Sequence, residues 1–410
     1  MPRTMTEGQL VLERILDATD GRRPHYERYS LLALPATIED LFGLPSAGPS
    51  LREELGLPRA EVVLNVIVDG LGFHALEGLR SQGAVDLAPF LPKGRYLPLT
   101  SVFPSTTTAA LASLSTGVSP IVHGVLGYKL FRSDVGAVVD MIRLTVPGGR
   151  EAGLEKLGVS LEQIVTVPTM YTRLAAAGVA TTLFLPKLIA DSGLSKILYQ
   201  GVGRTVAYLT GSDLLMHIAD AVQEKRPCLL SVYWPTTDTL GHLYGPNTVA
   251  FALEVAHVFR LIARAMKLLP PGAVVLVGAD HGFYEADPVR DMVSCPAQPA
   301  LRDGLLLPPV GDPRAAYLFV RRGHEEAVRG FFARFFPDEF AVLTVEEALE
   351  RKLWGLEEPT VAVRAMLGDF LVISQARKFL LWPSEEFKLR GLHGALTPGE
   401  LLVPLLVRVV

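Results

Sequence analysis

A run of four hydroxyl residues, S-T-T-T at positions 105–108, could do covalent chemistry. Pro104 precedes the run and disfavours a helical backbone for the residue before it. Small helix formers follow at 109–115 and Gly117 is a suitable stop, so the hydroxyls are predicted at a helix N-terminus. Free amides and the helix dipole favour an anion there. Two interpretations stay open: the hydroxyls cap the helix, which this stretch alone favours, or one attacks a phosphorus atom.

Carboxylates and imidazoles recur at the ends of apolar runs. Three such runs are each followed by an aspartate, two of these aspartates have a histidine one or four residues later, and one more histidine stands between glycines. The set is Asp69, Asp238, His242, Asp280, His281 and His393. This mixture suits zinc, and also manganese or iron. Six ligands are too many for one tetrahedral ion and enough for two. Each aspartate could instead have a structural or capping role at the end of its strand.

The elements that must position these residues are buried strands. Residues 62–68, 228–234 and 273–279 are continuous apolar runs, which are typical of strands covered on both faces in a parallel sheet. The aspartates then fall at the carboxyl edge of the sheet, where open α/β sheets bind ligands. We therefore predict an α/β fold with a mostly parallel central sheet flanked by helices.

The predicted organisation of the 410 residues has three parts. Residues 1–60 are a mostly helical N-terminal lead-in, residues 61–313 and 383–410 form the catalytic core, and residues 314–382 form a small inserted α+β lobe. Within the core, strands and helices alternate between 150 and 225, with residues 163–167 predicted as a strand.

Composition excludes some classes of partner. The net charge is −4, so no basic surface for nucleic acid or an anionic membrane is expected. The first residues lack the apolar segment of a secretory signal, and the two cysteines form no ligand pattern. We expect a cytoplasmic protein in a reducing compartment, with no membrane association. The sequence does not indicate an oligomeric state.

The order of the motifs resembles the alkaline phosphatase superfamily, in particular its type I phosphodiesterase/nucleotide pyrophosphatase branch. These motifs are V-D-G at 68–70, F-P-S-T-T-T at 103–108, D-T-L-G-H-L-Y-G-P at 238–246, A-D-H-G at 279–282 and G-L-H-G at 391–394. The resemblance implies an alkaline-phosphatase-like fold and a site for two zinc ions. It assigns Asp69, Asp280 and His281 to one ion, and Asp238, His242 and His393 to the other.

The resemblance also implies a covalent mechanism on a small phosphate ester or nucleotide. Counting back from Thr116-Gly117, the nucleophile falls on Thr107, with Thr106 and Thr108 as neighbouring alternatives, and a threonyl-phosphate forms. Typical diesterases read T-F-P-N-H at the nucleophile, whereas this chain reads T-T-A-A-L. Tyr128 stands where those members carry an asparagine that binds a phosphoryl oxygen.

Three functions follow as hypotheses. The first is a phosphodiesterase or nucleotide pyrophosphatase. The second is a phosphomonoesterase, or a phosphotransferase of the phosphoglycerate mutase kind, which shares the sheet and the metal pattern. The third is a non-catalytic metal-binding scaffold that recognises phosphorylated partners. A sulfatase is disfavoured because C-x-P-x-R and S-x-P-x-R are absent at the nucleophile.

Overall fold

The computed structural model describes residues 7–46, 48–91, 94–146, 149, 153–156, 158–160, 163–224, 226–383 and 387–410. The strands are β1 (Val62–Val68), β2 (Gly94–Thr100), β3 (Lys129–Arg132), β4 (Ala137–Asp140), β5 (Ala180–Pro186), β6 (Arg204–Tyr208), β7 (Cys228–Trp234), β8 (Val274–Gly278), β9 (Tyr284–Glu285), β10 (Met292–Ser294), β11 (Val310–Asp312), β12 (Ala315–Leu318), β13 (Phe340–Thr344), β14 (Phe370–Ser374), β15 (Phe379–Leu381), β16 (Gly391–Leu392) and β17 (Leu402–Val409). The helices are α1 (Glu7–Thr19), α2 (Ala33–Leu41), α3 (Phe73–Ser81), α4 (Thr107–Thr116), α5 (Pro120–His123), α6 (Gly153–Lys156), α7 (Met170–Ala176), α8 (Gly193–Leu198), α9 (Gly211–Val222), α10 (Thr236–Tyr244), α11 (Val249–Met266), α12 (Pro299–Gly304), α13 (Glu325–Phe335), α14 (Val345–Glu350), α15 (Val361–Met366) and α16 (Pro398–Leu401).

A seven-stranded sheet, ordered β2-β17-β8-β1-β7-β5-β6, forms the centre of the fold. The strands from β8 to β6 run parallel to one another, while β17 is antiparallel to both of its neighbours. All seven residues of β1 and of β7 are buried, which explains why the sequence shows continuous apolar runs rather than alternation. The predicted α/β fold with a mostly parallel sheet is confirmed.

The three strands that precede the aspartates are neighbours in this sheet. β1 lies between β7 and β8, with Val68 paired to Trp234 and Ile67 paired to Gly278. Because all three strands run in the same direction, their carboxyl ends meet at one edge. The prediction that the three aspartates share an edge of the sheet is therefore confirmed.

The N-terminal residues cover the edge strand β2. Helix α1 packs against β2, and its Val11 and Ile15 are buried in the same core as the central sheet. Ser30 forms an isolated bridge with Thr100 at the end of β2. An edge strand covered in this way has fewer unpaired backbone groups facing solvent.

A second sheet, ordered β13-β14-β12-β11-β3-β4, is antiparallel throughout and extends beyond the predicted insertion. Residues 314–382 supply β12, β13 and β14, but the sheet continues through β11 into the hairpin β3–β4. Those hairpin residues lie far away in sequence, so the chain order conceals the pairing. The boundaries of the three predicted parts stay predictions.

Other local predictions had mixed outcomes. The prediction of a strand at 163–167 is wrong. These residues form a turn and a loop, in which Ile164 and Val165 are buried. Pro168 follows and has no amide to donate to a ladder. Both cysteines are free and buried. Among the described residues, no helix is long and apolar enough to cross a membrane.

Candidate metal centre

Three of the predicted ligands form a buried inner group: Asp69, Asp280 and His281. Asp69 directly follows β1, and the other two residues follow β8 after Ala279. His281 Nε2 lies 3.4 Å from an oxygen of Asp69 and 3.6 Å from an oxygen of Asp280. Their side chains are between 0% and 3% exposed. Two adjacent parallel strands thus bring the three groups together inside the protein.

Hydrogen bonds fix the carboxylates of the inner group. The Tyr233 hydroxyl donates to Oδ2 of Asp69, and the Thr237 hydroxyl donates to the Asp69 carbonyl oxygen at 2.5 Å. The amides of Gly70 and His281 both donate to Oδ1 of Asp280, at 3.1 and 2.9 Å. Each carboxylate therefore has one oxygen held by the protein and the other available for a ligand.

The other three predicted ligands form a more open outer group: Asp238, His242 and His393. The first two lie four residues apart on α10, and the Nε2 atom of His242 is 3.3 Å from Oδ1 of Asp238. His393 comes from the loop after β16, with its Nε2 atom 3.3 Å from that of His242 and 4.0 Å from Asp238 Oδ1. The i, i+4 spacing predicted from sequence is thus realised on one helix face.

All three histidines face the site with the same nitrogen. The Nδ1 atoms of His242, His281 and His393 lie 2.8, 3.0 and 3.1 Å from the carbonyl oxygens of Gly391, Gly282 and Ser105, respectively. A carbonyl oxygen only accepts, so each Nδ1 carries the proton and donates it. In the neutral imidazole each Nε2 then presents a lone pair to the site, as in metal-bound histidines whose other nitrogen donates to the protein.

The unsatisfied oxygens of the three aspartates fit a bound cation. Among the described residues, Asp69 Oδ1, Asp238 Oδ1 and Asp280 Oδ2 are buried without a hydrogen-bond partner. Burial, followed by the charges of Asp238 and Asp280, raises the pKa of Asp69 well above its usual range, and burial also raises the pKa of Asp238. Burial and the neighbouring imidazoles lower the pKa of His393. Divalent cations would offset the carboxylate charges and use the imidazole lone pairs, so the donor set fits metal ions.

The inner and outer groups adjoin each other. The rings of His281 and His393 stack with centroids 3.7 Å apart and planes 18° apart. Ligand atoms lie within 4.8 Å of one another in the inner group, and also in the set Asp238, His281 and His393. By distance alone, His281 could therefore serve as a ligand in either the inner or the outer group. The direct contact between Asp238 and His242 supports counting His242 with the outer group.

Thr107 is the first residue of α4, and its hydroxyl faces the inner group. Its Oγ1 atom lies 3.1 Å from Nε2 of His281, and the hydroxyl is the donor when the imidazole is neutral with its proton on Nδ1. Thr106 is the N-cap residue, and Gly117 ends the helix in a left-handed conformation with φ +79°. The helix begins two residues earlier than the small-residue run suggested, and this places Thr107 at the helix N-terminus.

The neighbouring threonines face away from the inner group. The hydroxyl of Thr106 donates to Oδ1 of Asp312 at 2.9 Å, and Thr108 is 1% exposed with its hydroxyl unpaired among the described residues. Neither hydroxyl caps the helix, so the capping interpretation is wrong for Thr106 and Thr108. Burial raises the pKa of Asp312, which sequence reasoning missed, to about 6.

Tyr128, which stands where the resemblance implies an asparagine, is hydrogen-bonded to two carboxylates. Its hydroxyl donates to Asp140 at 2.7 Å, and its amide donates to Oδ2 of Asp312 at 3.3 Å. Asp312, at the end of β11, thus connects the loop of Tyr128 with the turn of Thr106 and Thr107. A lone aspartate in a G-D-P turn gives no sequence signal for that function.

The loop that carries His393 is fastened at two points. Ser105 pairs with Gly394 in an antiparallel bridge, and its hydroxyl donates to Ala395 O at 2.7 Å. Arg314 forms a bidentate ion pair with Glu400 at 2.7 and 3.0 Å, and both side chains are 0% exposed. Glu400 also accepts from the amide of Ala395. The second sheet therefore helps to hold a ligand of the outer group.

The central sheet, the six candidate ligands and the Thr107 hydroxyl together fit a phosphoester hydrolase. The model of the type I phosphodiesterase/nucleotide pyrophosphatase family matches residues 63–302, and the chain belongs to this family. The membership confirms the resemblance noted in the sequence. No curated protein sequence matches the chain significantly.

Solved structures agree on the fold. Murine ectonucleotide pyrophosphatase/phosphodiesterase 5, solved as an inactive variant in complex with AMP, is 18% identical, with 85% of this chain and 87% of that chain covered and a TM-score of 0.65. The phosphonoacetate hydrolase of Sinorhizobium meliloti 1021, in complex with phosphonoformate, is 20% identical, with 86% and 92% covered and a TM-score of 0.62. At these identities the likeness shows a shared fold.

Proposed function

We propose that this protein is a two-metal hydrolase that cleaves phosphodiester or pyrophosphate bonds through a threonyl-phosphate on Thr107. The strongest support is that, of the three threonines in the turn, Thr107 is the one whose hydroxyl faces the ligand groups. Its place at a helix N-terminus adds amide donors for the attacked phosphoryl group.

We propose that the inner and outer groups each hold one divalent ion. The three carboxylates and three imidazoles favour zinc, with manganese or iron as alternatives. Bound there, two such ions would lower the pKa of the Thr107 hydroxyl and neutralise charge on the entering and leaving oxygens.

The protein's own groups would then act in two steps. Thr107 Oγ1 attacks phosphorus, the new P–Oγ1 bond forms, the bond to the leaving oxygen breaks, and the hydroxyl proton passes through solvent to that leaving oxygen. Meanwhile the amides of residues 107–109, which precede the first intrahelical bond from the Ala110 amide to Thr106 O, can donate to the phosphoryl oxygens. Water then cleaves the P–Oγ1 bond, which releases phosphate monoester and restores the Thr107 hydroxyl.

The proposed substrate is a small phosphate ester or nucleotide. The two solved relatives hold AMP and phosphonoformate, which are both small anions. Thr108 follows the nucleophile where typical diesterases have phenylalanine, and its side chain is buried. Position 108 therefore offers a nucleobase no aromatic ring to stack on.

The test compares turnover of bis-p-nitrophenyl phosphate with that of p-nitrophenyl phosphate and phosphonoacetate on metal-loaded protein. We expect the highest kcat/KM for the diester, loss of activity on chelation, and its return with Zn²⁺ or Mn²⁺. Thr107→Ala protein with its metal content intact is the matched control. A higher kcat/KM for the monoester would support the phosphomonoesterase alternative. Two bound ions without turnover of any substrate would support the non-catalytic scaffold.

A cytoplasmic location is also part of the proposal. Both cysteines are free and buried, which suits a reducing compartment. Fractionation of the source cells, followed by detection of the protein with a specific antibody, would test it.

A further inference from the structure

Phe283 lies in the middle of the three candidate ligand histidines. It comes two residues after His281, and its side chain is 7% exposed. The centroid of its ring is 5.2 Å from His242, 5.8 Å from His281 and 5.7 Å from His393, with interplanar angles of 87°, 87° and 76°. One aromatic ring thus makes edge-to-face contacts with all three imidazoles.

Three glycines leave the space that this ring fills. An ideal Cβ atom would lie 2.5 Å from Phe283 Cε2 at Gly70, 2.4 Å from the same atom at Gly241, and 3.0 Å from Phe283 Cδ1 at Gly391. Each glycine stands within two residues of a candidate ligand. Gly241 is also inside α10, where glycine is an unfavourable helix residue. The ring accounts for glycine at position 241, whereas Gly70 also has φ +71° and a Cβ atom at Gly391 would also lie 2.4 Å from Gly241 O.

The same ring borders a second space. A pocket of about 460 Å³ is lined by Phe283 together with Phe251, Pro246 and Tyr284. Its lining, as far as the described residues go, includes none of the six candidate ligands. Phe283 therefore borders both this pocket and the three imidazoles.

We propose that Phe283 is a positioning residue for the metal centre, an inference that rests on the proposed two-metal function. Its ring fixes the planes of His242, His281 and His393, so their Nε2 atoms converge while each Nδ1 keeps its carbonyl acceptor. It also keeps water from the adjoining pocket away from the imidazoles. Both effects lower the cost of assembling the ligands around an ion.

The experiment titrates Co²⁺ into metal-free wild type and Phe283→Leu protein, and follows binding by calorimetry and by the visible absorption of the bound ion. Phe90→Leu is the matched control, since Phe90 is 1% exposed in the same core and meets Phe259 edge-to-face at 5.6 Å. We expect Phe283→Leu to weaken binding of at least one ion tenfold or more and to change the absorption band. Phe90→Leu should lose comparable stability to urea and keep the wild-type affinities and spectrum.

Gly241→Ala gives a second approach if Phe283→Leu does not fold. Alanine raises the helix propensity of α10, but its Cβ atom would displace the Phe283 ring. Co²⁺ affinity should therefore fall although the helix itself is favoured. Affinities and spectra equal to wild type in the folded variants would overturn the inference and leave the two-metal proposal intact. Wild-type protein that binds fewer than two Co²⁺ ions would overturn the two-metal proposal, and this inference with it.

Discussion

The inner and outer groups of candidate ligands are built on different kinds of backbone. The inner group (Asp69, Asp280 and His281) directly follows two adjacent strands of the central sheet, and its side chains are at most 3% exposed. The outer group comes from a helix and a loop, with exposures of 17% for Asp238, 22% for His242 and 10% for His393.

The inner group is therefore positioned by the central sheet, whereas the outer group is positioned by tertiary contacts. The strand ladder that forms the core also places the inner group. The outer group needs α10 and the loop of His393, which is held by Ser105, by the ion pair of Arg314 with Glu400, and by the Phe283 ring. We therefore expect the inner ion to bind more tightly and exchange more slowly than the outer one.

The largest effect is expected at Thr107, the proposed nucleophile, beside the inner group. Thr107→Ala should lower turnover roughly 10³-fold or more, because the attacking oxygen is removed, while all six ligands remain. Thr107→Ser should keep partial activity because it keeps the hydroxyl. Turnover and bound metal are measured on the same samples. Near-normal turnover of Thr107→Ala would move the nucleophile to another residue.

Ligand substitutions should separate the two groups. His242→Ala should leave one ion per chain, whereas Asp69→Asn should remove the inner ion and disturb the outer one as well. In EDTA, Asp69→Asn should be more stable than wild type at pH 7, since the amide is neutral beside Asp238 and Asp280 without taking up a proton. Elemental analysis and urea unfolding check both statements. Equal metal loss in the two variants would break the distinction between inner and outer sites.

Smaller effects are expected where Asp312 of the second sheet accepts the hydrogen bond of Thr106. Thr106→Val and Asp312→Asn each disturb the hydrogen bond between these side chains, and each should lower kcat roughly threefold to tenfold, the equivalent of about 1 kcal/mol. The double variant should lose little more than either single one. Thr108→Val is the control: its hydroxyl is buried without a partner among the described residues, so stability should stay equal or rise. Additive losses would show that Asp312 and Thr106 act separately.

A fourth histidine shows what a structural imidazole looks like in the same protein. Nδ1 of His123 accepts from the amide of Val125 at 3.1 Å, so its Nε2 carries the proton and donates to Ser113 Oγ at 3.0 Å. This is the reverse of the tautomer in the three ligand histidines. Burial lowers the pKa of His123 to about 3.

The depressed pKa of His123 predicts acid sensitivity. The unfolded histidine takes up a proton near pH 6.5 and the folded one only near pH 3. The contribution of His123 to the free energy of unfolding is therefore fully present above pH 6.5 and is lost as the pH falls from 6.5 towards 3. At pH 4.5 the loss is on the order of 3 kcal/mol. His123→Asn should be less stable at pH 7 but show a pH slope smaller by about one proton. Urea unfolding of the variant and of wild type, both in EDTA, measures the free energy of unfolding against pH. The difference between the two proteins isolates the contribution of His123, because both keep the aspartates, whose raised pKa values make stability rise as the pH falls. An unchanged slope would contradict the assignment.

The sequence predicted most accurately what local patterns encode. Continuous apolar runs identified β1, β7 and β8, and the aspartate after each run identified the site edge, because parallel strands ending together place such residues in contact. The helix after the hydroxyl run was found for the same local reason. The motif order then supplied the pairing of His393 with Asp238 and His242, which no local pattern contains.

What the sequence did not predict depends on contacts between distant segments. Asp312 meets Thr106, from which it is separated by 206 residues in the chain, only in the folded protein. Tyr233 appears as one more buried strand residue until its hydroxyl is found on Asp69. Phe283 has an ordinary apolar type, and its contacts with three histidines exist only in the folded site.

The central claim is that two ions bind side by side, one in each group. Crystals of zinc-loaded protein, measured on both sides of the zinc absorption edge, test it most directly. The account predicts two anomalous peaks per chain, one among Asp69, Asp280 and His281 beside Thr107, the other among Asp238, His242 and His393. A single peak, or peaks away from these six residues, would contradict it.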